Sequence, residues 1–102
     1  MKKATEEWFE SAESDLLLIH EIHSNENLTH MVAFHAQQAV EKAFKALIEE
    51  FDLGFIKTHS LEMLYNIIRD KILIKPDLKE SSRFYSFALE IVEAAKKSCD
   101  KA

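Results

Sequence analysis

Apolar residues recur at three- and four-residue spacing along four stretches of the chain, the period of a helix with one face turned inward. Trp8, Ala12, Leu16 and Ile19 predict a first helix over about residues 4–23. Glu6, Glu7 and Glu10 occupy its opening turns, where carboxylates favour the positive end of the helix dipole. The run Ser24-Asn25-Glu26-Asn27 then breaks the pattern with side chains that bond backbone outside helices. A second helix is predicted over about residues 28–51, where Val32, Ala36, Ala39, Ala43 and Leu47 are flanked by Phe34, Val40, Phe44 and Ile48. Two apolar lines with alanines between them suit a helix packed against several neighbours. Gly54 is the expected closing residue, because glycine takes the left-handed conformation that ends a helix. Thr58 is the expected N-cap of a third helix, about residues 59–74, with Leu61, Leu64, Tyr65 and Ile68 inward and Pro76 ending it. Asp77, with Glu80 three residues on, resembles a capping box for a fourth helix. Its inner face is Phe84, Phe87 or Ala88, Ile91, and Ala94 or Ala95, ending near Ser98. Breaks this short force neighbours to run antiparallel, so the expected fold is all-α, an up-and-down four-helix bundle.

Composition narrows the picture further. One glycine and one proline in 102 residues exclude a β-sandwich, a barrel and a glycine-rich phosphate loop. Hydrophobic residues are 47% and charged residues 30%, the balance of a folded, soluble chain with room for one domain over residues 1–102. The net charge of −5 and only two arginines, Arg69 and Arg83, argue against a broad phosphate-gripping surface. A lone cysteine, Cys99, excludes an internal disulfide and suggests a reducing, cytoplasmic setting. No apolar stretch approaches the ~20 residues of a membrane span, and the acids after Lys2 and Lys3 do not read as a signal peptide, so no membrane association is expected.

Candidate chemistry is sparse. His20 and His23 lie three apart on the first helix, but no further ligands accompany them, so neither a metal nor any other cofactor is expected. Trp8 and the seven phenylalanines have helical spacing and read as core rather than as stacking platforms. Cys99 has no positioned histidine near it in sequence and reads as an inert thiol. The second helix carries a polar stripe of His35, Gln38, Lys42, Lys45 and Glu49, with Gln37 and Glu41 beside it. That stripe suits a solvated helix face, a buried network, a dimer seam or a binding surface.

The run Phe34-His35-Ala36-Gln37-Gln38-Ala39-Val40-Glu41-Lys42-Ala43-Phe44-Lys45-Ala46-Leu47 closely resembles the signature of HEPN domains, the higher eukaryotes and prokaryotes nucleotide-binding family. Thr58-His59-Ser60-Leu61 resembles that family's Thr-His-polar-Leu at the head of its third helix. Trp8, Ala12 and Asp15-Leu16 resemble its first helix. The resemblance implies a helical bundle, usually homodimeric, in a prokaryotic small-protein setting. There, such proteins work beside a minimal nucleotidyltransferase, as toxin–antitoxin or substrate-binding pairs. Many members are RNases with Arg, four to six residues, then His on a late helix. Here those His positions hold Ile74, Lys75 and Pro76 after Arg69, and Ala88, Leu89 and Glu90 after Arg83. Ser82-Arg83-Phe84 echoes the Thr-Arg-Tyr-Pro-like run of the non-nuclease branch.

The expectation is therefore a homodimeric, non-catalytic HEPN-like binding or accessory protein that recognises a nucleotide or a nucleotidyltransferase partner. His35, Gln38, Lys42, Lys45, His59 and Arg83 are the candidate contact residues, with no catalytic residue assigned. Lysine and arginine would supply cationic donors, and glutamine and histidine directional hydrogen bonds. The alternatives are an RNase toxin that acts on RNA through a displaced His35 or His59 with Arg83, and a dimer whose stripe is only an interface network.

Overall fold

Helix α2 (Thr29–Glu50) packs against each of the other helices: α1 (Lys3–Ile22), α3 (Leu61–Ile68) and α4 (Tyr85–Asp100). The structure, a computed structural model, describes residues 1–78 and 84–100. No strand occurs among the described residues, and the all-α bundle predicted from the periodicity is what forms. Four fully buried alanines, Ala36, Ala39, Ala43 and Ala46, let the neighbouring helices approach α2 closely, and Val40, Phe44 and Leu47 fill the space between them. Phe9, Ala12, Leu16 and Ile19 answer from α1, and Ala88, Ile91, Val92 and Ala95 from α4.

α1 and α2 run antiparallel, with the start of α1 tied to the end of α2. The Lys2 amide and the Thr5 hydroxyl both donate to Glu50 Oε1, at 2.9 and 3.0 Å. The Lys2 amide, with help from Thr5, holds the Glu50 carboxyl below its usual range. A lowered carboxyl adds stability above its unfolded pKa and loses it as the pH falls through its folded one.

The helix ends differ from expectation where side-chain chemistry outweighs periodicity. Asp52, not Gly54, takes the left-handed conformation after α2, with φ 53°. Leu53 N–H bonds the Ile48 carbonyl at 2.9 Å and Asp52 N–H the Glu49 carbonyl at 3.4 Å, a Schellman ending. Gly54, at φ 116°, instead redirects the loop that follows. Ser60, not Thr58, caps α3: its Oγ accepts from Met63 N–H at 3.3 Å, while Thr58 Oγ1 accepts from Ser60 N–H at 3.1 Å. α3 stops at Ile68, well short of residue 74. Lys71 N–H turns back to the Ile68 carbonyl at 2.8 Å, and Tyr65 Oη donates to the Ile74 carbonyl at 3.2 Å, so Ile72 is buried from a turn instead of a helix. The fourth helix begins at Tyr85 and not at an Asp77 cap; Glu80 of the expected capping box lies outside the described residues.

The aromatic residues divide. Phe9 and Phe44 are core, Trp8, Phe51 and Phe87 are half-buried, and Phe34, Phe55 and Phe84 are exposed. From the sequence all eight read as core, and Phe34, Phe55 and Phe84 depart from that reading. Cys99 is buried at the end of α4, and burial pushes its thiol up to about 11. At pH 8 its thiolate fraction is then roughly a hundredfold below that of a free thiol. Alkylation by iodoacetamide should accordingly be at least that much slower in the folded protein than in urea, and equal rates would contradict this burial.

Candidate functional site

Asp15 stands on α1 between Ala12 and Ile19, on the face that otherwise packs into the core. An acid there must find cationic or hydrogen-bonding partners, because an unpaired buried carboxylate is costly. It finds both on α2. Its Oδ1 lies 2.8 Å from His35 Nδ1 and its Oδ2 2.7 Å from Lys42 Nζ. His35 and Lys42 are seven residues apart, two helical turns, so one carboxylate entering from the antiparallel helix bridges them.

A second carboxylate repeats the arrangement one step along the same face. Glu41 Oε2 accepts from Lys45 Nζ at 2.9 Å and lies 2.9 Å from His59 Nδ1, which comes from the loop before α3. The Asp15 and Glu41 side chains are only 10% and 8% exposed. Lys42 and Lys45 are 21% and 17% exposed, whereas His59 is 84% exposed. An ionised carboxylate only accepts, so both imidazoles donate to it from Nδ1. Among the described residues, no buried side-chain nitrogen or oxygen lacks a hydrogen-bond partner.

The six candidate residues are thus partly united. His35 and Lys42 share one carboxylate, and Lys45 and His59 the other. Gln38, half-buried, lines with His59, Glu41 and Leu61 a groove of about 390 Å³ beside the second cluster. Arg83 lies outside the described residues. The lysines are not the exposed charges of a solvated stripe; each is folded down onto an acid of its own chain.

Beyond Lys45 the face continues into a cleft of about 450 Å³ lined by Trp8, Ile48, Phe55, Ile56, Lys57 and His59, with Gly54 and Glu49 at its edges. Lys45 Nζ sits 5.5 Å from the Trp8 ring centroid and Lys57 Nζ 5.7 Å from that of Phe55. Periodicity did not point to this cleft, since Phe55 and Lys57 belong to a loop. Asp15 was legible in principle, as the one acid among the inward positions of α1.

His20 and His23 are exposed and gather about Tyr85, whose ring stacks on His23 at 5.4 Å. Among the described residues, no group of three histidine, cysteine or acidic side chains could hold a metal ion, and no helix is long and apolar enough to cross a membrane.

No curated protein and no solved structure gives a significant match to the chain. A family model described as HEPN domain matches residues 5–98, which takes in all the residues just described and all four helices but the last two residues of each end. The two carboxylate-centred clusters therefore lie within the matched span, and the chain belongs to the HEPN domain family.

Proposed function

We propose that this HEPN protein is a non-catalytic binding subunit that recognises a protein partner through the face shared by α1 and α2. A minimal nucleotidyltransferase is the class of partner that its family resemblance implies. The observation that carries the reading is the pairing of Lys42 and Lys45 with Asp15 and Glu41 at 2.7 and 2.9 Å. A nucleotide phosphate would have to draw both lysines from carboxylates that are themselves nearly buried. Each charge-assisted bond is worth about 1.5–3 kcal/mol, so the exchange returns little and strands two acids. A protein surface asks less of the row. The two lysines and two acids balance, leaving fixed donors and acceptors that set register against a complementary face.

Non-catalysis rests on the sequence. Cleavage at a 2′-hydroxyl needs a proton-transfer group and a cation on one phosphate, and no histidine follows Arg69 or Arg83 at the family spacing. Purified protein should leave total and structured RNA intact. Cleavage lost in Arg83→Ala together with His35→Ala or His59→Ala variants would overturn this and promote the toxin reading.

The chain is also expected to be a homodimer. Leu17, Phe34, Phe84 and Leu89 are exposed apolar side chains, surface that a second copy would cover. Light scattering at micromolar concentration should give twice the chain mass of 11.8 kDa, and a monomer mass contradicts it.

A further inference from the structure

Resting on the reading of a protein partner, we infer that the cleft between Trp8 and Phe55 is the pocket for a short acidic segment of that partner, carrying one aromatic anchor next to one carboxylate. The floor of the cleft is apolar: Trp8, Ile48, Ile56 and Phe55 line it, and its volume of about 450 Å³ is that of a site for a side chain or small ring. Phe55 is 85% exposed, with the Lys57 side chain over its ring. It is held there by the turn at Gly54, whose φ of 116° only glycine adopts without strain. An aromatic side chain entering the cleft would cover Phe55 and Trp8 together, the arrangement of an interface anchor in its pocket.

The rim sets the charge of the occupant. Lys57 stands over the Phe55 ring and, among the described residues, has no carboxylate partner. Lys45 keeps further N–H donors beyond the one it gives Glu41. Glu49 also stands at the edge. One unpaired lysine beside one committed lysine matches a single carboxylate better than a phosphate dianion. The dianion's second charge would find no uncommitted cation among the described residues of the rim and would face Glu49.

The test uses the intact protein and the fluorescence of Trp8, its sole tryptophan. The probes are three capped pentapeptides with alanine elsewhere: phenylalanine beside one glutamate, phenylalanine beside one lysine, and one glutamate without phenylalanine. AMP is the fourth probe. The glutamate–phenylalanine peptide should give a saturable change, at least about tenfold tighter than each of the others. Lys57→Glu should reverse the preference between glutamate and lysine flanks, and Phe55→Ala should weaken binding at least about tenfold. Phe55 is exposed, so its removal leaves the thermal unfolding curve in place. No saturable change with any peptide, equal affinity for both charged peptides, tighter binding of AMP, or indifference to both variants overturns the assignment. A partner complex that survives Phe55→Ala and Lys57→Glu would leave the α1–α2 face standing and remove this pocket alone.

Discussion

Asp15→Ala is expected to destabilise the fold by about 3 kcal/mol, far beyond the ~0.5 kcal/mol of an ordinary exposed charge. The substitution leaves Lys42 and His35 without the acid that receives them at 2.7 and 2.8 Å. Breaking a fully buried pair costs ~3–5 kcal/mol. The lower end applies because Lys42 keeps 21% of its side chain exposed and can turn to water. Lys42→Ala should cost less, about 1.5–3 kcal/mol, since His35 stays on Asp15. Removing both charges at once should cost little: Asp15→Leu with Lys42→Met replaces the pair by apolar groups of similar size, such exchanges are often neutral, and His35, at 18% exposure, can turn to water. Urea denaturation of the three variants checks the ordering. Equal, small effects from all of them would mean that the pairs are surface ornaments.

Phe44→Ala is the second large effect, expected at ~3–5 kcal/mol. Phe44 is fully buried at the middle of α2, its ring tilted against Tyr65 with centroids 6.0 Å apart. Alanine there would leave a cavity at the meeting of α2 and α3, and α3 has only eight residues with which to close it. A helix that short does not persist without its packing. A domain of this size holds only about 5–15 kcal/mol in total, so the melting temperature should fall by more than about 12 °C. A drop of a few degrees would show that α3 repacks freely.

These expectations reveal which parts of the molecule were legible in the residues alone. α1 and α2 were, almost to their ends, because long amphipathic periodicity leaves little choice of structure. α3 was overextended: Ile72 and Ile74 continue the helical spacing, yet a turn and the Tyr65 hydroxyl fix that stretch by contacts spacing cannot express. The closing residue of α2 was misassigned because Asp52 carries the positive φ usually left to glycine. At the site, the α2 residues and His59 were identifiable, but their partners were not. Asp15 lies 27 positions from Lys42, and only the antiparallel crossing brings them together. The structure also changes what the lysines are: half-buried members of pairs, one across the helix crossing and one along α2, whereas the sequence had suggested charges for a phosphate. Phe55 was misread as core with the other phenylalanines, and Lys57 gave no signal, since a loop has no period.

The central claim is that this row of paired charges recognises a protein and is not merely internal scaffolding or a phosphate grip. Its most direct measurement is light scattering on chromatographed complexes of the chain co-expressed with the minimal nucleotidyltransferase expected in its gene neighbourhood. The wild-type chain and the Asp15→Leu/Lys42→Met variant would be compared, with AMP titrations alongside. A complex with the wild type, lost in a variant that unfolds within about 1 kcal/mol of it, and no AMP binding that depends on Lys42 or Lys45, is the predicted result. A complex that forms equally with both chains, or AMP binding abolished by Lys42→Ala and Lys45→Ala in proteins that remain folded, would contradict it.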